Sequence, residues 1–348
     1  MNVGAKSVFI FLVLIQACVS IVIYIFGLHT VKNKTISDTY RYREERDWKK
    51  IYYQEINDTS VNRHRLTRVD TDALLSVVLE NKLLCKGVSQ VDLLFVVHSA
   101  GGNHDRRGVF RTVLKGSNYK NYTIHLLFLL GLTRYDAKLQ DRINQEFNQY
   151  GDIIQGQFLD SYRNLTYKAV MGLKWISNNC RNVKYVVKTD DDVFVDLDNF
   201  FPYIYHDIPL TNCILCRVLY EHDAVKVNRR GKWSVQKYQF RHYDYFPVDY
   251  CSGFAVVMPG SVIPALYKAT RLVPFFWVDD VFLFGMARSF LANLNNLNPE
   301  LYKLNGRTLL NCFNEDDKCK VVFSPVYSNL ILPMWQRRQE YLRHRSAS

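Results

Sequence analysis

Three consecutive carboxylates, Asp190, Asp191 and Asp192, follow an apolar run in the segment NVKYVVKTDDDVFV (182–195). In extended backbone alternate side chains share a face, so Asp190 and Asp192 are expected to point one way and Asp191 the other. Two hard carboxylates on one face suit Mn2+ or Mg2+, which take oxygen ligands and often complete their shells with substrate phosphates. The plainer alternative is a solvated acidic turn or a helix cap. A second metal candidate, Cys213-Ile-Leu-Cys216, has the spacing of half a zinc site, but no second CxxC or His pair completes it.

The elements that must position these acids can be read from periodicity. Val91–His98 (VDLLFVVH) and Tyr122–Leu130 (YTIHLLFLL) are continuous apolar runs of strand length, and Val183–Val187 is a third, ending at Lys188. Tyr135, Leu139, Ile143 and Phe147 recur every four residues, as do Leu165, Ala169 and Leu173, with Ile176 after them; both sets predict amphipathic helices. Strand and helix alternate, so the expected fold class is α/β with a central, mostly parallel sheet. Ligands of such sheets bind beyond the carboxyl ends of the strands, which is where the aspartate triplet falls.

The chain has 348 residues, 48% of them hydrophobic, and a formal net charge of +12. That apolar content excludes a disordered protein. Basic residues are scattered among acids rather than blocked, and no nucleic-acid-binding motif occurs, so nucleic acid is not an expected partner. The densest basic run, Arg337, Arg338, Arg343 and Arg345, reads as a solvated C-terminal tail. Ser7–Leu28 carries no charge and is long enough to span a bilayer, longer than the apolar core of a signal peptide. It is expected to be an uncleaved signal anchor. The sequons at Asn33, Asn57, Asn121 and Asn164, and seven cysteines beyond the anchor, point to a lumenal, oxidising compartment. Those seven thiols allow three disulfides with one left over. Glycosylation is expected at Asn57 and Asn121. The domain reading is a cytosolic tail (1–6), a transmembrane anchor (7–28), a polar stem (29–88), a globular domain (89–335) and a basic tail (336–348).

From Val91 to Arg288 the chain resembles the β1,3-galactosyltransferases, an inverting family that includes β1,3-N-acetylglucosaminyltransferases and, more distantly, Fringe enzymes. The blocks occur in order: Arg106-Arg107-Gly-Val-Phe-Arg111, Phe128-Leu-Leu-Gly131, Phe158-Leu-Asp160-Ser-Tyr162-Arg-Asn164-Leu-Thr-Tyr-Lys168, Lys188-Thr-Asp190-Asp191-Asp192-Val-Phe194, Lys232-Trp233, Tyr250-Cys-Ser-Gly253 and Val278-Asp279-Asp280-Val281-Phe282. The chain departs from the family at Val113-Leu114, where Thr-Trp is usual, at Gln157 and Asp279 in place of acids Asp and Glu, and in having no His between Phe282 and Leu342.

The resemblance implies a single GT-A-type nucleotide-sugar-binding domain, a UDP-sugar donor and a glycan acceptor on protein or lipid. Asp190 and Asp192 would hold Mn2+ or Mg2+. Arg107 and Arg111, one helical turn apart, would contact phosphate or nucleotide, with Asp160, Lys168, Asp190 and Asp191 on the donor side; the bland reading of the arginines is a pair bridged to acids. Asp280 is the expected general base, with Trp277 and Phe276 walling the acceptor site and raising its pKa by desolvation. Alternatively, Asp279 and Asp280 cap a helix beginning at Val281. Trp233, Tyr250, Gly253, Trp277 and Asp279 are placed on the acceptor side, Gly253 by letting backbone approach closely. The expected activity is β1,3 transfer of a hexose, galactose first, with N-acetylglucosamine as the alternative sugar. A non-catalytic lumenal chaperone or lectin of the same fold is the alternative of another class. The expected setting is the Golgi membrane, with the anchor in the bilayer, the domain in the lumen, and homodimerisation left open.

Overall fold

The computed structural model describes residues 75–116, 119, 121–208, 211–220, 225–296, 299–303, 306–314 and 319–347. The chain divides into two units, residues 1–61 with 237–243, and residues 62–236 with 244–348. Of the first, the described part is a turn in which the Tyr243 N–H donates to the Phe240 carbonyl. All that follows concerns the second. The segment Ser7–Leu28, Asn33 and Asn57 lie outside the described residues, and among the described residues no helix is long and apolar enough to cross a membrane.

Ten strands are described: β1 (Val77–Leu79), β2 (Val91–His98), β3 (Ile124–Leu132), β4 (Ile153–Leu159), β5 (Val183–Asp190), β6 (Val193–Val195), β7 (Cys213–Leu219), β8 (Tyr250–Pro259), β9 (Asn293–Asn296) and β10 (Phe323–Pro325). The helices of eight residues or more are α1 (His104–Gly116), α2 (Ala137–Tyr150), α3 (Leu165–Asn179), α4 (Ile263–Thr270), α5 (Gly306–Asn314) and α6 (Ile331–Ala347). Eight strands form one sheet in the order β1-β4-β3-β2-β5-β8-β7-β9. The expected parallel core is present in β4-β3-β2-β5, but β8 runs antiparallel to both β5 and β7, and β1 antiparallel to β4, so the sheet is mixed. The central strand β2 has lost nearly all its side chains to the interior, as a run apolar on both faces must.

The topology selects the site. From β2 the chain passes to β3 and β4 on one side, then crosses to β5 on the other, so β2 and β5 flank the point where strand order reverses. His98 and Asp190 are register partners at their carboxyl ends. Because β8 is antiparallel, its first residues, Tyr250 to Gly253, arrive at this same edge. The Cys216–Cys251 disulfide fastens that start to β7. Beyond Asp192, β6 pairs with β10, and the Val326 N–H donates to the Asp192 carbonyl at 2.9 Å. The other disulfides among the described residues are Cys85–Cys180 and Cys312–Cys319; Cys213 is a buried free thiol and Cys216 is disulfide-bonded, so the half zinc site does not exist.

Four further expectations are corrected. Strand β5 does not stop at Lys188 but runs to Asp190, which carries the first carboxylate into the sheet edge. Tyr135 is outside α2: Asp136 caps the helix by accepting the Leu139 N–H, a better first position than an aromatic, and leaves Tyr135 fully exposed with φ 38°. Residues 75–88, placed in the stem by the sequence reading, belong to the folded domain, since Leu75 is buried, β1 extends the sheet at Gly156 and Gln155, and Cys85 is cross-linked to the end of α3. The basic tail is the second half of α6, and Arg338 in it is buried, donating to Asp196 at 2.8 Å and to Asn199 at 3.1 Å.

Candidate active site

A cavity of about 780 Å3 opens at the strand-order reversal. Its wall includes Asp160, Lys168, Lys188, Asp190, Asp191, Asp192, Trp233, Tyr250, Gly253, Asp279 and Asp280. All of these except Lys188 are residues the sequence singled out; Arg107, Arg111 and Trp277 are not among them.

The three aspartates divide their work as the alternation of an extended chain requires. Asp191 turns inward: its carboxylate accepts from Ser99 Oγ (2.7 Å), Asn103 Nδ2 (2.8 Å) and Arg106 (3.0 Å), fixing the β2–α1 connection. Asp190 and Asp192 remain for the cavity. Asp190 meets Lys188 Nζ at 3.2 Å. Burial, then repulsion from Asp190 and Asp191, pushes the Asp192 carboxyl above its ordinary value. Crowded oxygen donors of this kind fit a hard divalent cation, which would relieve the repulsion. Among the described residues no set of three or more His, Cys, Asp or Glu side chains converges on one point, so such a cation would keep water or phosphate in most of its shell.

The opposite wall is built around Gly253. Asp280 Oδ2 accepts the Gly253 N–H at 2.9 Å, while its Oδ1 takes no hydrogen bond from the described residues. Asp280 occupies the N-cap position of the helical segment Val281–Ala287 but makes no capping hydrogen bond through its side chain. A Cβ at Gly253 would fall inside the Asp280 carboxylate and lie 3.0 Å from Lys188 Nζ, so the approach is one that only glycine permits. Buried Lys188 donates to the Gly253 carbonyl at 2.5 Å and stands 3.9 Å from Asp279 Oδ2. Burial opposes its charge, but Asp190, Asp279 and Asp280 outweigh this and hold it as an ammonium ion. Burial, then the charge of Asp279, pushes Asp280 up to about 7. Asp279 is raised too, by burial foremost. The pair therefore carries its protons toward neutral pH.

Elsewhere on the cavity wall, Lys168 Nζ donates to the Ser99 carbonyl (2.6 Å) and Asp160 Oδ1 (2.8 Å), and Asp160 Oδ2 accepts the Gly131 N–H at 3.0 Å. Together they tie α3 to the ends of β2 and β3. Trp233 is 53% exposed and its Nε1–H donates to the Tyr162 hydroxyl at 2.7 Å, so the two rings stand together at the mouth. Tyr250 lines the cavity on the side of Asp280, its hydroxyl pushed up by burial and by Asp280.

Three expectations fail here. Arg107 is 0% exposed and gives its guanidinium to Glu146 (2.8 and 2.6 Å), Ser99, Ala100 and Gly101. Arg111 makes a two-pronged contact with Asp152 at 2.7 Å and 2.7 Å. Both are structural ion pairs, out of reach of a ligand; the block's contribution to the site is Arg106, through Asp191. Trp277 is buried beneath Arg163, whose guanidinium lies 3.9 Å above its ring, and Phe276 is wholly buried, so neither walls the cavity. Asn164 is committed to the Leu159 carbonyl at 2.8 Å, whereas Asn121 is exposed in the turn before β3.

Among the cavity residues that sequence reasoning missed are Lys188, Tyr162 and His98. Tyr162 sat inside a recognised block without a role. His98 carried no signal beyond ending a strand. Both of its ring nitrogens are buried without a hydrogen bond among the described residues, Nδ1 is 3.9 Å from Asp279 Oδ2, and burial, with Lys188 and Lys168, holds the imidazole neutral.

Residues 105–295 match the family model described as galactosyltransferase. The chain belongs to the galactosyltransferase family. Among its relatives, beta-1,3-galactosyltransferase 5 of Homo sapiens is 30% identical over 57% of this chain and 63% of its own length. UDP-GlcNAc:betaGal beta-1,3-N-acetylglucosaminyltransferase 7 of Rattus norvegicus is 33% identical over 62% of this chain and 55% of its own. Lactosylceramide 1,3-N-acetyl-beta-D-glucosaminyltransferase of Homo sapiens is 29% identical over 66% and 61%. Each match thus spans less than two thirds of the relative. The mixed sheet with its helices fits the GT-A-like α/β domain that the sequence implied.

Proposed function

We propose that the chain is an inverting hexosyltransferase, moving galactose from UDP-galactose to a hydroxyl of an acceptor glycan in β1,3 linkage. The observation that carries this reading is the pairing, in one cavity, of the Asp190–Asp192 edge with an Asp280 carboxylate pinned through Oδ2 and free at Oδ1. The relative with the higher of the two leading identities uses UDP-GlcNAc, as its name states, so N-acetylglucosamine is the second donor to test. Golgi residence behind an anchor at 7–28, and glycosylation at Asn121 and Asn57, belong to the same proposal.

The residues divide the chemistry between them. Asp190 and Asp192 would hold Mn2+ or Mg2+, and when bound that cation supplies charge neutralisation for the departing diphosphate. Asp191, locked to Ser99, Asn103 and Arg106, keeps the two ligand carboxylates aimed. Asp280 Oδ1 accepts the proton of the attacking acceptor hydroxyl. A carboxyl held near 7 is matched to that transfer at neutral pH. Lys188, hydrogen-bonded to the Gly253 carbonyl, keeps the base wall in register with Asp190. Trp233 offers a ring face to the acceptor sugar.

The test is UDP release by the full chain, purified in detergent, from a panel of UDP-sugars and acceptors with Mn2+ and with EDTA. Metal-dependent release from one hexose donor is the expected result. Absence of turnover with every donor, together with no UDP-dependent rise in Tm, would remove the enzyme reading.

A further inference from the structure

The mouth of the cavity has the opposite charge from its interior. One lip is the loop 225–236, which contains Lys226, Arg229, Arg230 and Lys232 and no Asp or Glu. All four cations are exposed, and Lys226 and Lys232 line the cavity. The loop is held in shape. The Val227 N–H donates to the Asp244 carbonyl at 2.8 Å, the Phe246 N–H to the Val225 carbonyl at 3.1 Å, and the Val235 N–H to the Asn228 carbonyl at 2.7 Å. Gly231 takes the turn at φ 82°. Arg163 clamps the loop from the neighbouring wall, donating to the Ser234 carbonyl at 2.7 Å and its hydroxyl at 2.9 Å.

This lip coincides with the aromatic platform. Trp233 belongs to it, Tyr162 is 42% exposed beside it, and the Lys232 ammonium is 4.4 Å from the Tyr162 ring centre. A sugar ring packed on Trp233 and Tyr162 would therefore carry its substituents toward Lys226 and Lys232, which line the same cavity. Arg229 is already partly used, donating to the Gln236 carbonyl at 2.8 Å. A donor diphosphate would be answered by a divalent ion at the Asp190–Asp192 edge, which leaves the cations of the lip to another anionic group.

We infer that the acceptor is an acidic saccharide, carrying a sulfate, uronate carboxylate or phosphate that the 225–236 lip recognises while its sugar ring rests on Trp233 and Tyr162. This rests on the transferase reading and adds the chemical class of its acceptor. Fixed cations at the rim of a low-dielectric cleft raise the local concentration of an anionic ligand and discriminate against its neutral parent.

The test measures, by titration calorimetry, the affinity of the full chain, with UDP and Mn2+ present, for a neutral disaccharide and for its sulfated, uronate and phosphorylated counterparts. At least one acidic counterpart should bind about tenfold tighter than the neutral parent at low ionic strength, the yield of two or three exposed ion pairs, and the gain should shrink as salt rises. The double variant Lys226→Glu, Lys232→Glu should erase that gain, and Lys226→Arg should keep it. The same preparations report UDP affinity. Equal affinity for neutral and acidic ligands, or no binding of any, overturns the inference. So does a double variant that loses UDP affinity as strongly as acidic-ligand affinity, since the lip would then serve the donor. Failure of the transferase reading itself would show separately, as the lack of a UDP-dependent rise in Tm in the unmodified chain.

Discussion

Replacing Gly253 by alanine puts a methyl group where the structure has none to spare. The new Cβ would overlap Asp280 Oδ1, lie 2.8 Å from Asp280 Cγ and 3.0 Å from Lys188 Nζ. The carboxylate must retreat until Cγ reaches at least the 3.4 Å of ordinary contact, and in doing so strains the 2.9 Å bond from the Gly253 N–H that aims it. Overpacking of this kind costs about 1–3 kcal/mol of stability. A displacement approaching 1 Å in a reacting group costs about 10²-fold in rate, equivalent to about 2.7 kcal/mol of barrier. The assay is initial UDP release with acceptor saturating, alongside Tm and UDP affinity on the same sample. The expected pattern is a rate loss near 10²-fold, a modest fall in Tm and a much smaller change in UDP affinity, since Gly253 reaches the donor edge only through Lys188. Turnover indistinguishable from the unmodified chain would refute the argument that Asp280 acts from this position.

Other predictions follow from the ion pairs and the dyad. A base must be ionised to act, so kcat/KM should climb with pH through about 7 and level off. Asp279→Asn, by removing a neighbouring negative charge, should move that limb to lower pH; a rate independent of pH from acid to neutral would contradict it. Arg107→Ala leaves Glu146 buried with its main partner gone and should cost about 3–5 kcal/mol, read as a large fall in Tm. Arg107, Arg111 and His104 hold the Glu146 carboxyl at about 2, against its usual 4.5, despite burial, which acts to raise it. A depressed acid stabilises the fold above its unfolded value, so this contribution should be present above pH 4.5 and fade as pH falls toward 2; Glu146→Gln should flatten that part of an acid-unfolding curve. Replacing Cys216 and Cys251 together by Ser should lower stability by about 2–4 kcal/mol and reduce turnover more than UDP affinity, because the staple secures the strand that carries Gly253.

What could be read in the sequence was what depends on near neighbours. β2 declared itself because both its faces are apolar, and the roles within Asp190-Asp191-Asp192 followed from alternation along an extended chain. The Asp136 cap lay in plain view but lost to a four-residue spacing that counted Tyr135 as helical. Longer-range pairing was hidden. Arg107 and Arg111 look like a phosphate clamp until α2 and its connection to β4 bring Glu146 and Asp152 against them, 39 and 41 residues on. Arg338 looked like a solvated tail because its partner, Asp196, is 142 residues away. β1 is only three residues long and joins the sheet as an edge, too short for periodicity to find. The antiparallel insertion of β8 has no local signature either, yet it delivers Gly253 to the Asp280 carboxylate.

The central claim is that Asp280 takes the acceptor proton while the Asp190–Asp192 edge holds the donor. Its most direct test compares sugar transfer and UDP–Mn2+ binding for Asp280→Asn and the unmodified full chain. The substitution keeps the side chain's size and an acceptor for the Gly253 N–H but removes the basic oxygen. Transfer should fall by about 10²–10⁴-fold, the usual contribution of a general base, with UDP affinity retained. Transfer at the unmodified rate, or a loss of UDP affinity that accounts for the whole fall in rate, would contradict the assignment.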